Sequence, residues 1–430
     1  MIDQPSTVPL DRKADSFGDV ATPGALVIGG AHGSLAVVRS LGRHGIPVCV
    51  VTHDNPIATF SRYATHRVSW PGPDHPGALD FLLHEIGSRA GVDVRGWVIF
   101  TGGDAEAEFV SRHYTELSAV FRLTGSPWQV TRCASDKRLT YRHAAEVGVD
   151  APWSYYPRDR DDVARLDCRF PLILKPTVKG RPNAFTLAKA WRVDDRAALM
   201  ARFDQAAAMV GEQAIVLQEL IPGGGATQFS YAAAWRDGAQ LASLVARRTR
   251  QYPIDFGYTS SFVETIEHPA IEEAACRFLK PLGYSGLVEV EFKFDERDGL
   301  YKILDVNART WTWAALGAAA GVDLPYLLWR ATLGDAVAQV RGRPGAAWMH
   351  LARDVAAVCQ QLARGRIATR DPSEALSGPI VFAAFAADDP LPGIVDLPLT
   401  AWRASRTRLP MALAALRART LPLPPIPRPR

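Results

Sequence analysis

The chain has 430 residues, 47% of them hydrophobic and 22% charged, which suits a soluble globular protein of two or three domains. Its net charge of +4 is uneven: seven arginines and no acid lie from Arg403 onward, which leaves the remainder at −3 and, with no zinc-finger or RRM signature, excludes nucleic-acid binding by charge. Five singly scattered cysteines exclude a disulfide frame, and the polar N-terminus and the lack of a span-length apolar run point to a cytoplasmic protein.

Residues 1–21 are expected to be disordered. ALVIGG (25–30), AHGSLAVVRSLGRHG (31–45) and IPVCVVT (46–52) read as strand, helix and strand, a βαβ opening. Gly29, Gly30 and Gly33 resemble a dinucleotide loop, but the GxGxxG spacing is not kept, so we read them as tight strand-to-helix packing in preference to NAD binding. Residues 79–90 form a helix and 96–100 a strand whose C-terminal end carries Thr101-Gly102-Gly103-Asp104. Ligands bind at that edge of open α/β sheets; Asp104 either meets a substrate amine or caps the following helix.

A helix opens at Ser135-Asp136-Lys137 and ends at Gly148. Strands follow at 170–175, 215–220, 228–234, 239–246 and 286–294, with helices at 271–282 and 313–320. Beyond Leu324 we expect a helix over 346–364, a strand within 379–385, and an extended Pro/Arg-rich end. The expected division is 1–21, a Rossmann-like domain at 22–134, a nucleotide-binding domain at 135–330, a mostly helical extension at 331–402, and a basic tail at 403–430.

The chemistry centres on GLVEVEFKFDERDGLYKILDVNAR (286–309), two strands joined by an acidic turn. Glu289 and Glu291 are two apart and share a face. Pairing about the turn brings Glu291 close to Asp305 and Asn307, with Arg309 just beyond. Such a hard-oxygen set suits Mg²⁺ carrying nucleotide phosphates; the alternative is a solvated acidic hairpin. Lys175 ends a strand and Lys137 starts a helix, two places where a cation meets phosphate. Gln218-Glu219-Leu220-Ile221-Pro222-Gly223 reads as a strand running into a hinge that could hold an adenine ring.

In this order, Lys137, Lys175, QELIPG and VEVEFK…DVNAR resemble the ATP-grasp superfamily, over roughly 24–330. The resemblance is strongest to the D aspartate ligase-like group of carboxylate–amine ligases, through 244–265 (LVARRTRQYPIDFGYTSSFVET), Ser61-Arg62-Tyr63 and Asp136-Lys137. It implies an α/β ATP-grasp fold, two subdomains clasping ATP behind a Rossmann-like pre-ATP-grasp domain. Lys137, Lys175, Lys189, Gln218, Glu219, Leu220, Ile221 and Leu304 would bind the nucleotide. Glu291, Asp305 and Asn307 would hold two Mg²⁺ ions, with Mn²⁺ able to substitute. Arg309, Arg247 and Arg250 would be catalytic, and Asp104, Arg248 and Tyr252 would bind substrate. The implied reaction forms an amide from a small carboxylate and an amine, an amino acid among them, through an acyl phosphate. No covalent enzyme intermediate is expected, and the scattered His and Cys read as structural.

Three positions depart from the family pattern: Asp305 stands for Glu, Ala308 for Pro, and no acid follows the hinge, where Gln228 could take the ribose. The alternatives are a non-catalytic nucleotide-binding protein, an ATP-dependent carboxylase using bicarbonate, and an NAD enzyme built on the N-terminal unit. The basic tail suits weak contact with an anionic membrane surface, although a plain disordered tail is the simpler reading. A homodimer is the commonest assembly to expect.

Overall fold

The computed structural model describes residues 22–177, 183–188, 190–252, 259–363, 365 and 378–400. Three sheets organise it. The first is parallel, with strands β1 (Ala25–Ile28), β2 (Val48–Thr52), β3 (His66–Ser69), β4 (Val98–Thr101) and β5 (Arg122–Leu123) in the order β3-β2-β1-β4-β5. Every residue of β1 is fully buried, as a near-continuous apolar run covered on both faces requires. Helix α1 (His32–Arg43) packs on one face, and α2 (Asp104–Arg112) follows β4. Both helices start at the C-terminal edge of this sheet, where open α/β sheets present ligand-binding groups.

Helix α3 (Lys137–Glu146) leads into the second sheet, and Asp136 caps it by accepting the Arg138 N–H at 2.8 Å. Strands β6 (Ser154–Tyr155), β7 (Leu172–Pro176), β8 (Trp191–Val193) and β9 (Ile215–Glu219) pair in the order β6-β9-β7-β8. Helix α4 (Arg196–Val210) covers this sheet through Leu199, Phe203 and Ala206.

The third sheet is the largest. It comprises β10 (Gln228–Arg236), β11 (Ala239–Tyr252), β12 (Thr259–Ile266), β13 (Gly286–Asp295), β14 (Leu300–Asn307), β15 (Val340–Arg341), β16 (Ala347–Met349) and β17 (Ile380–Phe382). The order is β14-β13-β10-β11-β12-β16-β17, with β15 beside β11. Helix α5 (Pro269–Leu279) packs on one face through Ile271, Ala275 and Phe278. Helix α6 (Leu324–Thr332) lies between the other face and the first sheet, in one core that includes Leu35, Val38, Ala232, Leu244, Trp311, Trp313 and Trp348. Each buried tryptophan removes 150–250 Å² from water, an upper bound of about 4–6 kcal/mol apiece. That core fixes the first sheet against the third, so their facing edges can share a site.

Two expected helices are shorter than their sequence pattern. Residues 346–364 divide: Ala347–Met349 add β16 to the sheet edge, and helix α7 starts only at Leu351, running Leu351–Ala363. Pairing of β16 with β12 and β17 outweighs local helical propensity. Likewise only Leu316–Ala319 is helical within 313–320, because Trp311 and Trp313 are buried in irregular chain that follows β14. Residues 391–400 form the last described helix, α8.

The start of this last segment docks on the first sheet's unit. Asp389 accepts Arg39 Nε at 2.9 Å, Ser61 Oγ at 2.7 Å and the Arg62 N–H at 2.9 Å. Asp388 accepts Tyr63 Oη at 2.8 Å and both prongs of Arg43 at 2.8 Å. Ser61-Arg62-Tyr63 is therefore a receptor for this aspartate pair.

Candidate functional site

Strands β13 and β14 pair antiparallel, with Glu289 opposite Asn307 and Glu291 opposite Asp305. The register shifts directly after Glu291, a bulge that re-aims the strand next to the carboxylates. Glu289 is buried; it accepts Ser230 Oγ and Trp313 Nε1, both at 3.0 Å, and Asn307 Nδ2 at 3.1 Å. Glu291 accepts Asn307 Nδ2 at 3.3 Å and pairs with Arg248. Asp305 accepts Lys137 Nζ at 2.9 Å. Glu289 was missing from the expected ligand set, although its place two before Glu291 and opposite Asn307 was a usable signal. Burial first, and then the neighbouring Glu291, push the Glu289 carboxyl up to about 7.

The donor set is three carboxylates and the Asn307 amide, which turns its nitrogen to Glu289 and Glu291 and its oxygen to Arg309, and Arg248 and Lys137 already supply positive charge to two of the carboxylates. These residues fit Mg²⁺. Asn307 Oδ1 accepts Arg309 Nη2 at 3.0 Å. Arg309 also donates to Asp104, Nε at 2.9 Å and Nη2 at 3.3 Å. Asp104 does not cap its helix, for Gly103 is the N-cap and no side chain caps it. The carboxylate instead holds an arginine of the third sheet.

The second sheet faces this hairpin. Lys175 Nζ donates to Gln218 Oε1 at 2.7 Å, and Gln218 Nε2 donates to Tyr141 Oη and Ser154 Oγ, each at 2.9 Å. Tyr141 Oη donates to the Leu304 carbonyl at 3.0 Å, so Lys175, Gln218 and Leu304 are joined through one chain of hydrogen bonds. The two lysines differ electrostatically. Burial lowers Lys175 to about 7, with Lys137 adding repulsion. Burial also works against the charge of Lys137, but Asp305, Tyr141 and Glu291 together hold Lys137 above its ordinary range.

Glu219 lies at the hinge, but its carboxylate is engaged by Lys302 at 3.0 Å, Arg297 at 2.6 Å and the Trp153 N–H at 2.9 Å. The Glu219 and Leu220 N–H groups donate to Trp153 O and Pro171 O, so neither donor faces a ligand. Ile221 is buried. Lys189 lies outside the described residues.

The three arginines of β11 separate. Arg248 reaches Glu291 and Ser260. Arg247 pairs across the ladder with Phe229, so alternation puts it on the face opposite Glu289 and Glu291. It binds Glu264 there, at 3.0 and 2.6 Å. Its expected place at the reacting phosphate is corrected accordingly: the pleat turns it toward the α5 side. Arg250 binds Asp354 of α7 with two bonds, at 2.8 and 2.7 Å, and is not brought to the hairpin carboxylates. Tyr252 is half-buried at the end of β11.

The glycine loop after β1 is packed against protein. A Cβ on Gly30 would lie 1.8 Å from Asn55 O, and one on Gly33 would lie 2.9 Å from Trp311 O. The packing reading of these glycines holds.

Residues 254–340 match the family model for the carbamoyl-phosphate synthase L chain, ATP binding domain. A curated relative, D-aspartate ligase of Enterococcus faecium (strain Aus0004), is 23% identical over 256 residues, 56% of this chain and 59% of that protein. The match thus spans under two thirds of that relative's length. Among solved structures, L-amino acid ligase from Bacillus licheniformis has a TM-score of 0.55 at 18% identity, covering 72% of this chain and 74% of that one. The biotin carboxylase domain of Hydrogenobacter thermophilus 2-oxoglutarate carboxylase, solved with MgADP and bicarbonate, has a TM-score of 0.59 at 14% identity, covering 76% and 74%. N5-carboxyaminoimidazole synthetase from Staphylococcus aureus has a TM-score of 0.55 at 14% identity, covering 74% and 79%. With its acidic hairpin facing two lysines across the cleft between the second and third sheets, this chain has the ATP-grasp fold and is similar to carboxylate–amine ligases that share it.

Proposed function

We propose that the chain is an ATP-dependent carboxylate–amine ligase, joining a small carboxylic acid to an amine, with an amino acid as one partner. The observation that carries this reading is the convergence of Glu289, Glu291, Asp305 and Asn307 with Lys137, Lys175, Arg248 and Arg309. Acidic metal donors and phosphate-binding cations are both needed for phosphoryl transfer from ATP, and neither needs the other in a plain structural hairpin.

A carboxylate is a poor electrophile, so the γ-phosphoryl group would first be transferred to it, giving an acyl phosphate and ADP. The amine would then attack the acyl carbon and release phosphate. Positioning and charge neutralisation dominate such a reaction. Lys137 and Lys175 would hold phosphate oxygens. Arg309, held by Asp104 and Asn307, would offset charge on the transferring group. Arg248 would meet the substrate carboxylate or the γ-phosphate. Glu289 joins Glu291, Asp305 and Asn307 as a metal ligand in this proposal. Two Mg²⁺ ions, or Mn²⁺ in their place, would supply charge neutralisation to the polyphosphate when bound. Gln228 Oε1 is buried with no hydrogen-bond partner among the described residues, which supports its taking a ribose hydroxyl.

Among the described residues no helix is long and apolar enough to cross a membrane. We place the reaction in the cytoplasm, with ATP at hand. The decisive experiment is phosphate release from ATP with Mg²⁺, screened over pooled amino acids, small carboxylic acids and bicarbonate, with Glu291→Gln alongside. An acid-plus-amine pair that stimulates release, and a variant that abolishes it, sustain the ligase. Stimulation by bicarbonate alone would move the protein to the carboxylases, and absence of ATP binding would end the nucleotide reading.

A further inference from the structure

Three residues that the proposed ligase chemistry does not use meet in the interior. His32 opens α1, His350 lies between β16 and α7, and Asp396 lies on α8. Their relative exposures are 8%, 1% and 7%. His32 Nε2 is 2.9 Å from Asp396 Oδ1, and His350 Nε2 is 3.7 Å from Asp396 Oδ2. The two imidazole centroids are 5.0 Å apart, and one donor atom of each residue lies within 4.8 Å of the other two.

We propose that His32, His350 and Asp396 form a binding site for a zinc-class divalent cation, separate from the magnesium site of the hairpin.

A hydrogen-bonded His–Asp pair alone would explain His32. It does not explain His350. Its Nε2 is buried, faces the second carboxylate oxygen, and has no hydrogen-bond partner among the described residues. Buried polar atoms are satisfied as a rule, and an orphan aimed into a cluster of ligand-type atoms points to a missing partner. Tetrahedral zinc with bonds near 2.0–2.2 Å sets its donors about 3.4 Å apart. The observed 2.9 and 3.7 Å run to the two different oxygens of Asp396, and one ligand atom of each residue lies within 4.8 Å of the others, so ligation draws the three side chains together onto one ion. Two imidazoles and one carboxylate select zinc-class metals over Mg²⁺, which prefers all-oxygen sets. Three protein ligands leave a fourth position for water or another donor. The metal would staple α8 and the β16–α7 junction to the start of α1. The site stands independently of the ligase reading, because none of its residues belongs to the nucleotide cleft.

The test uses the full chain, stripped of metal and dialysed against micromolar Zn²⁺, with bound zinc counted by mass spectrometry. A Glu291→Gln, His53→Ala background removes the hairpin cluster and the His53, Asp54 and Glu106 cluster as competing sites. We expect one zinc per chain, a rise in melting temperature with Zn²⁺, and affinity weakened roughly 100-fold or more in His350→Gln and in Asp396→Asn. Co²⁺ loaded into the same background provides a readout that needs no change at the triad. Two histidine ligands give two paramagnetically shifted, exchangeable imidazole N–H resonances. Zinc well below one equivalent, unchanged affinity in both triad variants, or absence of the shifted imidazole signals would overturn the site and leave a hydrogen-bonded clasp only.

Discussion

Arg309 and Asp104 form a two-bond ion pair across 205 positions of sequence, joining the end of β14 to the start of α2. The third sheet thereby borrows a carboxylate from the first to aim its arginine. Replacing Asp104 by Asn keeps the shape but removes the charge that holds the guanidinium. We expect kcat to fall roughly 10–100-fold with the KM for ATP little changed, because Arg309 would act on the transferring group and not on the bound nucleotide. Arg309→Ala should cost about 10²–10³ in kcat. Steady-state kinetics of both variants and their double mutant check this. If Asp104→Asn instead raises the KM of the amine alone, Asp104 contacts substrate.

Lys175 should couple nucleotide binding to proton uptake. In the free protein its pKa lies near 7, well below the ordinary lysine value, so at pH 8 most chains carry a neutral amine. A bound polyphosphate favours the ammonium and raises that pKa. Binding at pH 8 therefore takes up a proton, and ATP affinity falls as pH rises from 7 to 9. Titration calorimetry in two buffers of different ionisation enthalpy measures the uptake directly. Lys175→Met should abolish it, and proton release in the wild type would refute the assignment.

Arg39 and Asp389 are both buried, at 5% and 1% exposure, and removing one partner of such a pair leaves an unpaired interior charge. Asp389→Asn should destabilise the protein by about 3–5 kcal/mol. The urea midpoint gives the value. The double variant Arg39→Met, Asp389→Asn should recover part of the loss, since no lone charge then remains.

Gly30→Ala should lower stability by about 1–3 kcal/mol, because its Cβ would overlap the Asn55 carbonyl. The same protein should show no NAD binding by fluorescence before or after the change. An NAD enzyme would bind the dinucleotide and lose that binding in the variant.

The acidic hairpin was legible in the sequence because its signals are local. A turn fixes register, and a period of two fixes which residues share a face, so Glu291, Asp305 and Asn307 could be brought together in advance. Glu289 obeys the same rule, but nothing local says that Ser230 and Trp313 bury it. Arg247 was misjudged for a related reason: its face depends on the pairing of β11 with β10, a ladder set by tertiary structure. The Ala347–Met349 strand is too short for any periodic signal. The partners of Ser61-Arg62-Tyr63 come from Asp388 and Asp389, more than 300 residues away, where no spacing rule applies.

That docking also sets a timetable for the growing chain. Arg39 is synthesised 350 residues before Asp389. At 5–20 residues per second, roughly 20–70 s pass on the ribosome before the partner of this buried arginine exists. During that interval the first sheet can form, but Arg39 and Ser61 remain open to water or to a chaperone. Completion of the N-terminal unit is thus a late event, completed by the last described segment of the chain.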